Sequence, residues 1–131
     1  MPADLHAFFD SYRNAFNRLD GRAVSAHYDC PAMIVDSGGN SVYLDAAALD
    51  TNNLALCAHY EKDAFVRTDF AERNCLTLGD QFCVVDLAWT ITRKDQSPQQ
   101  FNTAYSLAKR DGHWKVAAVT AYEERRPGTQ A

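Results

Sequence analysis

Leu5, Phe8, Phe9, Tyr12, Phe16 and Leu19 recur at steps of three and four, the spacing that gathers side chains on one helical face. The pattern predicts a first helix, with Asp4 placed to cap its start. Asp20-Gly21 breaks the stripe and supplies a second N-cap, after which Val24, His27 and Tyr28 make one or two amphipathic turns stopped by Pro31. Met33-Ile34-Val35 is a short β-prone run ending in Asp36-Ser37-Gly38-Gly39-Asn40, a cluster of turn formers. Beyond Val42-Tyr43-Leu44, Asp45 is set to cap a third helix whose apolar side carries Leu49, Leu56, Cys57 and Tyr60, with Asn53 on the same stripe. That helix is expected to end at 61–63.

From Phe65 the period changes from helical to alternating, and turn signals divide the rest into strands over 65–78, 82–93, 101–110 and 113–122. Loops as short as Gly79-Asp80 and Asp111-Gly112 make the neighbouring strands antiparallel. Cys83, Val85, Leu87, Trp89 and Ile91 share one face of the second of these strands, and Phe101, Thr103, Tyr105 and Leu107 one face of the third. Val84 and Ala88 make the opposite parity apolar as well, and a sheet apolar on both sides needs two covers. A homodimer through the outer face is therefore expected, with Asp86 near its surface. Three N-terminal helices on one face of a curved, mostly antiparallel sheet give an α+β architecture, and a sheet curled around helices leaves a cone-shaped cavity suited to a ligand. The whole of 1–131 reads as one domain, with its core over 4–122 and a loose polar tail over 123–131.

Charge and composition narrow the partners. Seventeen acidic against thirteen basic side chains give a net charge of −4, the wrong sign for nucleic acid. No apolar run approaches the roughly 18 residues of a membrane span. The opening Met-Pro-Ala-Asp-Leu-His lacks a basic region followed by an apolar stretch, so a cytoplasmic protein is expected. Cys30, Cys57, Cys75 and Cys83 form no CxxC pair and have no nearby histidine, which reads as free thiols. The histidines are too scattered for a metal site, and no metal or cofactor is expected.

Phe9-Asp10-Ser11-Tyr12-Arg13-Asn14-Ala15-Phe16-Asn17-Arg18-Leu19-Asp20, followed by Tyr28-Asp29-Cys30-Pro31-Ala32-Met33-Ile34-Val35-Asp36, resembles the opening of nuclear transport factor 2-like proteins. Trp89-Thr90-Ile91-Thr92-Arg93, Tyr105-Ser106-Leu107 and Asp111-Gly112-His113-Trp114-Lys115-Val116 resemble strand signatures of the SnoaL-like branch. The resemblance covers residues 5 to 122 and implies a cone-shaped α+β barrel, commonly a homodimer packed through its convex sheet face. The superfamily holds ketosteroid isomerases, polyketide cyclases, dehydratases, epoxide hydrolases and non-catalytic binding proteins, so function has to come from the site. Ketosteroid isomerases carry a tyrosine on the first helix, an aspartate base after the first strand and a protonated aspartic acid deep in the sheet. Tyr12 and Asp36 match the first two positions, whereas the third falls near Thr103 to Ser106, none of which is a carboxylic acid.

Each candidate has two readings. Tyr12 is a core aromatic or, pointing into the cavity, a donor to a carbonyl or enolate oxygen. Asp36 is the first residue of a turn or a general base desolvated by Phe16, Tyr28 and Trp89. Phe16, Tyr28, Trp89, Phe101 and Tyr105 are expected to line the pocket, with Asn53, His59 and Thr103 adding polar lining. His27 and His59 titrate near neutrality and are available for acid–base work, whereas His6 and His113 lie where solvent is the default. The expected ligand is small, apolar or carbonyl-containing. Either Asp36 and Tyr12 carry proton transfer in an isomerase, dehydratase or cyclase, or the chain is a non-catalytic ligand-binding or dimeric interaction domain.

Overall fold

The structure, a computed structural model, describes residues 1–125. Helices α1 (Ala3–Asn17) and α2 (Gly21–Ser25) precede strands β1 (Tyr28–Asp36) and β2 (Gly39–Tyr43). Helix α3 (Ala46–Lys62) follows, and the chain continues through β3 (Phe65–Leu78), β4 (Phe82–Arg93), β5 (Gln99–Arg110) and β6 (His113–Arg125). The six strands form one sheet in the order β2-β1-β6-β5-β4-β3. Every neighbouring pair is antiparallel except β1 and β6, which run parallel.

The long meander stands where turn chemistry places it. Strand β4 alternates without interruption, with Cys83, Val85, Leu87, Trp89 and Ile91 buried and the even-numbered residues from Val84 to Thr92 half-buried. Its register with β5 sets Trp89 opposite Phe101, Leu87 opposite Thr103 and Val85 opposite Tyr105, so the two inward stripes merge. Phe9, with 0% of its surface exposed, Tyr12, Leu5 and Ala15 of α1 lie on that floor. The side chains of Asp20 and Asp45 cap α2 and α3 by accepting the Ala23 and Ala48 amides.

Several expectations need correction. The sheet is open rather than a closed barrel. β2 and β3 remain its two edges, and α3, which touches both, covers the gap between them. Asp4 does not cap α1, which starts two residues earlier than such a cap implies, after Pro2; its carboxylate accepts from the Trp114 indole at 2.9 Å. Tyr28 to Pro31 are strand instead of helix. The Val116 amide donates to the His27 carbonyl and Tyr28 pairs with Val116, so pairing with β6 overrides local propensity. Pro31 falls in the irregular stretch between Tyr28 and Met33, where the ladder makes no claim on its missing amide. The tail expected over 123–131 is strand as far as Arg125, and 126–131 lie outside the described residues.

Helices α2 and α3 meet at Gly21. A Cβ there would stand 2.7 Å from the Leu54 amide nitrogen and 2.8 Å from the Asn53 carbonyl carbon, both backbone atoms that cannot swing aside. Gly21→Ala should therefore destabilise the protein by about 2 kcal/mol, reversing the roughly 1 kcal/mol gain that alanine normally brings to a helix. Thermal unfolding should show a Tm lower by about 5–10 °C. An unchanged or higher Tm would remove the close approach from the account.

Candidate functional site

Between the inward sheet face, α1 and α3 lies a cavity of about 370 Å³. Its aromatic walls come from separate elements: Tyr12 and Phe16 from α1, Tyr28 from β1, Tyr60 from α3, Trp89 from β4, Phe101 and Tyr105 from β5. Aliphatic lining comes from Ile34, Leu56, Ile91 and Val119. The aromatic rings lock one another edge to face. Tyr12 meets Phe16 at 5.1 Å and Tyr105 at 5.7 Å between centroids, while Phe70 backs Trp89 at 5.4 Å.

One group of polar atoms in this chamber is formed by phenols. The Tyr12 and Tyr28 hydroxyls share a hydrogen bond of 2.8 Å, and the Trp89 indole N–H donates to the Tyr105 hydroxyl at 2.9 Å. Thr103 and Tyr12 stand beside that Tyr105 hydroxyl. Burial keeps these phenols protonated. It pushes Tyr28 up to about 12 and raises Tyr12 and Tyr105 well above the ordinary phenol value. Burial also pushes Tyr60 up to about 12, against the opposing charge of Arg93.

A second polar set ties α3 to its neighbours. The Tyr43 hydroxyl donates to Asn52 Oδ1, Asn52 Nδ2 to Asn53 Oδ1, and Asn53 Nδ2 to Ser25 Oγ at 2.9 Å, which in turn donates to the Gly21 carbonyl. A third lies around Arg93, whose side chain is only 2% exposed. Its Nε is 2.9 Å from Asp63 Oδ2, a charge contact in which the N–H is not aimed at the oxygen, and its Nη1 donates to Gln99 Oε1 at 2.6 Å. Gln99 Nε2 donates to Glu124 Oε1 at 2.7 Å, and both Gln99 and Glu124 border the cavity.

Of the residues singled out from sequence, Tyr12, Phe16, Tyr28, Asp36, Asn53, Trp89, Phe101, Thr103 and Tyr105 all border this one cavity. His59 does not: it is exposed on the outer side of α3 and is withdrawn from the lining. Asp36 borders the mouth yet is exposed, and its Oδ1 accepts the Gly38 amide at 2.8 Å. Its carboxylate serves the turn and lacks the desolvating cage expected of a base. Tyr43, Tyr60, Gln99 and Arg93 were missed. Parity was the available signal for the arginine, since Arg93 continues the inward series 83, 85, 87, 89 and 91. Among the described residues, no three His, Cys, Asp or Glu side chains are grouped to hold a metal, and no helix is long and apolar enough to cross a membrane.

An open α+β sheet wrapped around helices, with an aromatic pocket between them, defines the class of cystatin-like, nuclear transport factor 2-like folds. The family described as NTF2-like protein (DUF6841) matches residues 3–124, and the chain belongs to it. Among solved structures it is similar to an NTF-2 like protein of unknown function from Shewanella oneidensis, at 17% identity and a TM-score of 0.76 over 92% of this chain and 97% of that one. It is similar also to a ketosteroid isomerase-like protein from Erwinia carotovora atroseptica, at 21% identity and a TM-score of 0.70, covering 91% of this chain and 92% of that one. A putative calcium/calmodulin dependent protein kinase II association domain from Xanthomonas campestris matches at 18% identity and a TM-score of 0.69, over 89% and 83% of the two chains. At these identities the likeness is one of fold. No curated protein matches the chain.

The raised phenol values set the alkaline behaviour. A group whose folded pKa exceeds its unfolded value favours folding below the unfolded pKa, here near 10, and that contribution is lost as pH rises through the folded value. The protein should lose stability between about pH 10 and 12, with Tyr12, Tyr28, Tyr60 and Tyr105 ionising only as it unfolds. Tyrosinate absorbance and circular dichroism should change together. Ionisation near pH 10 of more than two of the six tyrosines in a still-folded protein would contradict this.

Proposed function

We propose that the protein binds a small, uncharged, largely apolar molecule carrying a carbonyl or hydroxyl oxygen, with its ring system between the aromatic walls and its oxygen at the phenol group. The observation that carries this reading is the donor balance of that group. Trp89, Tyr105, Tyr12 and Tyr28 bring four polar hydrogens to three phenol oxygens. The two bonds spend two of these hydrogens and leave two phenol protons, that of Tyr105 beside Thr103 and Tyr12 and one of the Tyr12–Tyr28 pair, for a ligand oxygen. The phenols' resistance to ionisation favours a neutral ligand, since a buried anion or cation would meet no counter-charge among them. The ligand is held by burial, at about 25 cal/mol per Å² of apolar surface.

Proton-transfer chemistry is the second reading, favoured by Tyr12 and Asp36 bordering the same cavity. Its base would be a solvent-facing turn carboxylate, which is why binding is preferred. We place the protein in the cytoplasm, without nucleic-acid or membrane partners, in keeping with its charge and its free thiols. As the binding unit we propose a homodimer joined through the outward sheet face. Val42, Met33, Ala118, Ser106, Val84 and Leu76 stand laterally in register across all six strands. Met33, Val42 and Leu76 of this face, with Leu78 and Phe82 beside them, are exposed to between 37% at Met33 and 59% at Val42, and Val84 among them is half-buried.

Calorimetry with 2-tetralone, a neutral bicyclic ketone, should show saturable binding stronger than that of the hydrocarbon tetralin. Tyr12→Phe should weaken the ketone by about fivefold, as for one net hydrogen bond, and leave tetralin unchanged. Equal affinities for the two probes, or no effect of Tyr12→Phe, would sink the assignment. Bound 2-tetralone in heavy water should exchange its α-hydrogens no faster than free ketone. Accelerated exchange abolished by Asp36→Asn would establish the proton-transfer reading instead. For the dimer, sedimentation should give twice the chain mass at micromolar concentration and a folded monomer for Leu76→Arg; a wild-type monomer would refute it.

A further inference from the structure

A second cavity, of about 420 Å³, lies between α1, the residues after α2 and the β5–β6 turn, outside the aromatic pocket. Ser11, exposed on α1, meets His27 there: Ser11 Oγ is 2.9 Å from Nε2, and Nδ1 is 2.7 Å from the Ala23 carbonyl oxygen. A carbonyl oxygen can only accept. Nδ1 of the neutral ring therefore carries the proton and Nε2 receives the Ser11 hydroxyl. The ring is held edge-on by Phe8 at 5.2 Å and Tyr12 at 5.5 Å. A nucleophile, a base within reach and a third group that orients the base are thus together in a cavity.

We propose that this is a nucleophilic site at which Ser11, with His27 as its base, takes the acyl group of a small ester. Ser11 Oγ forms a bond to the ester carbonyl carbon while its proton passes to Nε2; the carbon–oxygen bond to the alcohol breaks and the alcohol leaves with that proton. Water then attacks the acyl carbon, giving its proton to Nε2, and Ser11 recovers its hydrogen as the carboxylic acid departs. Phe8 and Trp114 supply apolar walls for the acyl and alcohol groups, and Trp114 is fixed by its bond to Asp4 and by the Lys109 ammonium 4.9 Å over its ring. Lys115 lines the same cavity, its Nζ 2.6 Å from the Ala26 carbonyl oxygen, and is the cation available to the oxyanion.

Burial holds His27 below the ordinary histidine value, against its bonds to Ala23 and Val24 and with help from the Lys115 and Arg18 charges. Asp4 and His113 also line the cavity. The lowered value favours the neutral base form of His27 at neutral pH.

The test is labelling of the folded full chain with an alkyl fluorophosphonate, which forms a phosphorus–oxygen bond to an activated serine and releases fluoride. Mass spectrometry should place one adduct on Ser11, lost in Ser11→Ala. The wild-type rate should rise with pH to a plateau, with its midpoint below the ordinary histidine value of about 6.5. His27→Gln should slow labelling by about 10²-fold or more. No adduct, an adduct elsewhere than Ser11, a rate still climbing above pH 8, or an unchanged rate in folded His27→Gln would each overturn the proposal. The wild-type pH profile decides the matter even if the His27 variant does not fold.

Discussion

The contact of α1 with the inward faces of β4 and β5 governs the rest of the molecule. Phe9 sits 5.0 Å from Tyr105 and 6.2 Å from Phe70 between ring centroids, and Tyr12, one turn further on, reaches both Tyr105 and Trp89. Burying a side chain like Phe9 is worth about 1.5–3 kcal/mol by area alone, and the ring geometry adds to it. Helix α1 rests on one part of the sheet, and α3 bridges to the free edges, with Gly21 bringing α2 close to its backbone. The cavity is the space these two supports leave between them. Its position therefore follows from packing, and its polar corner from Tyr12 standing on the same stripe as Phe9.

Much of this was legible in the chain. Unbroken alternation in β4 and dense turn signals at both its ends gave the meander nearly residue for residue, and the capping aspartates at 20 and 45 marked two helix starts. Misreadings occurred where a distant strand decides local structure. Tyr28 belongs to β1 because it pairs with β6 almost ninety residues away, and no local pattern reports that. Asp4 looks like a cap because its partner, Trp114, lies on β6. His59 was assigned to the pocket from residue type although its helical position already put it off the apolar stripe.

For the site, parity and helical phase named most of the lining but not its chemistry. Inward-facing aromatics can be inferred from spacing; a hydrogen bond between the Tyr12 and Tyr28 hydroxyls, or from the Trp89 indole to Tyr105, depends on distances that spacing does not encode. Asp36 shows the opposite case. Sequence context offered a turn or a base, and the bond to the Gly38 amide selects the turn. The residue whose context and spacing resemble a family's base is thus at the mouth of the cavity, while the buried phenols retain the chemistry to recognise an oxygen. A fold shared with an isomerase-like protein and a kinase association domain leaves such differences free.

The two tryptophans, Trp89 and Trp114, make the central claim accessible to one measurement. Trp89 donates its indole hydrogen to Tyr105 inside the aromatic cavity, and Trp114 donates to Asp4 beside the second one. In a nitrogen–proton correlation spectrum recorded during titration with 2-tetralone, the Trp89 indole resonance should shift progressively to saturation while that of Trp114 stays in place. Movement of Trp114 alone, or saturable binding that leaves Trp89 unmoved, would put the ligand elsewhere and contradict the account.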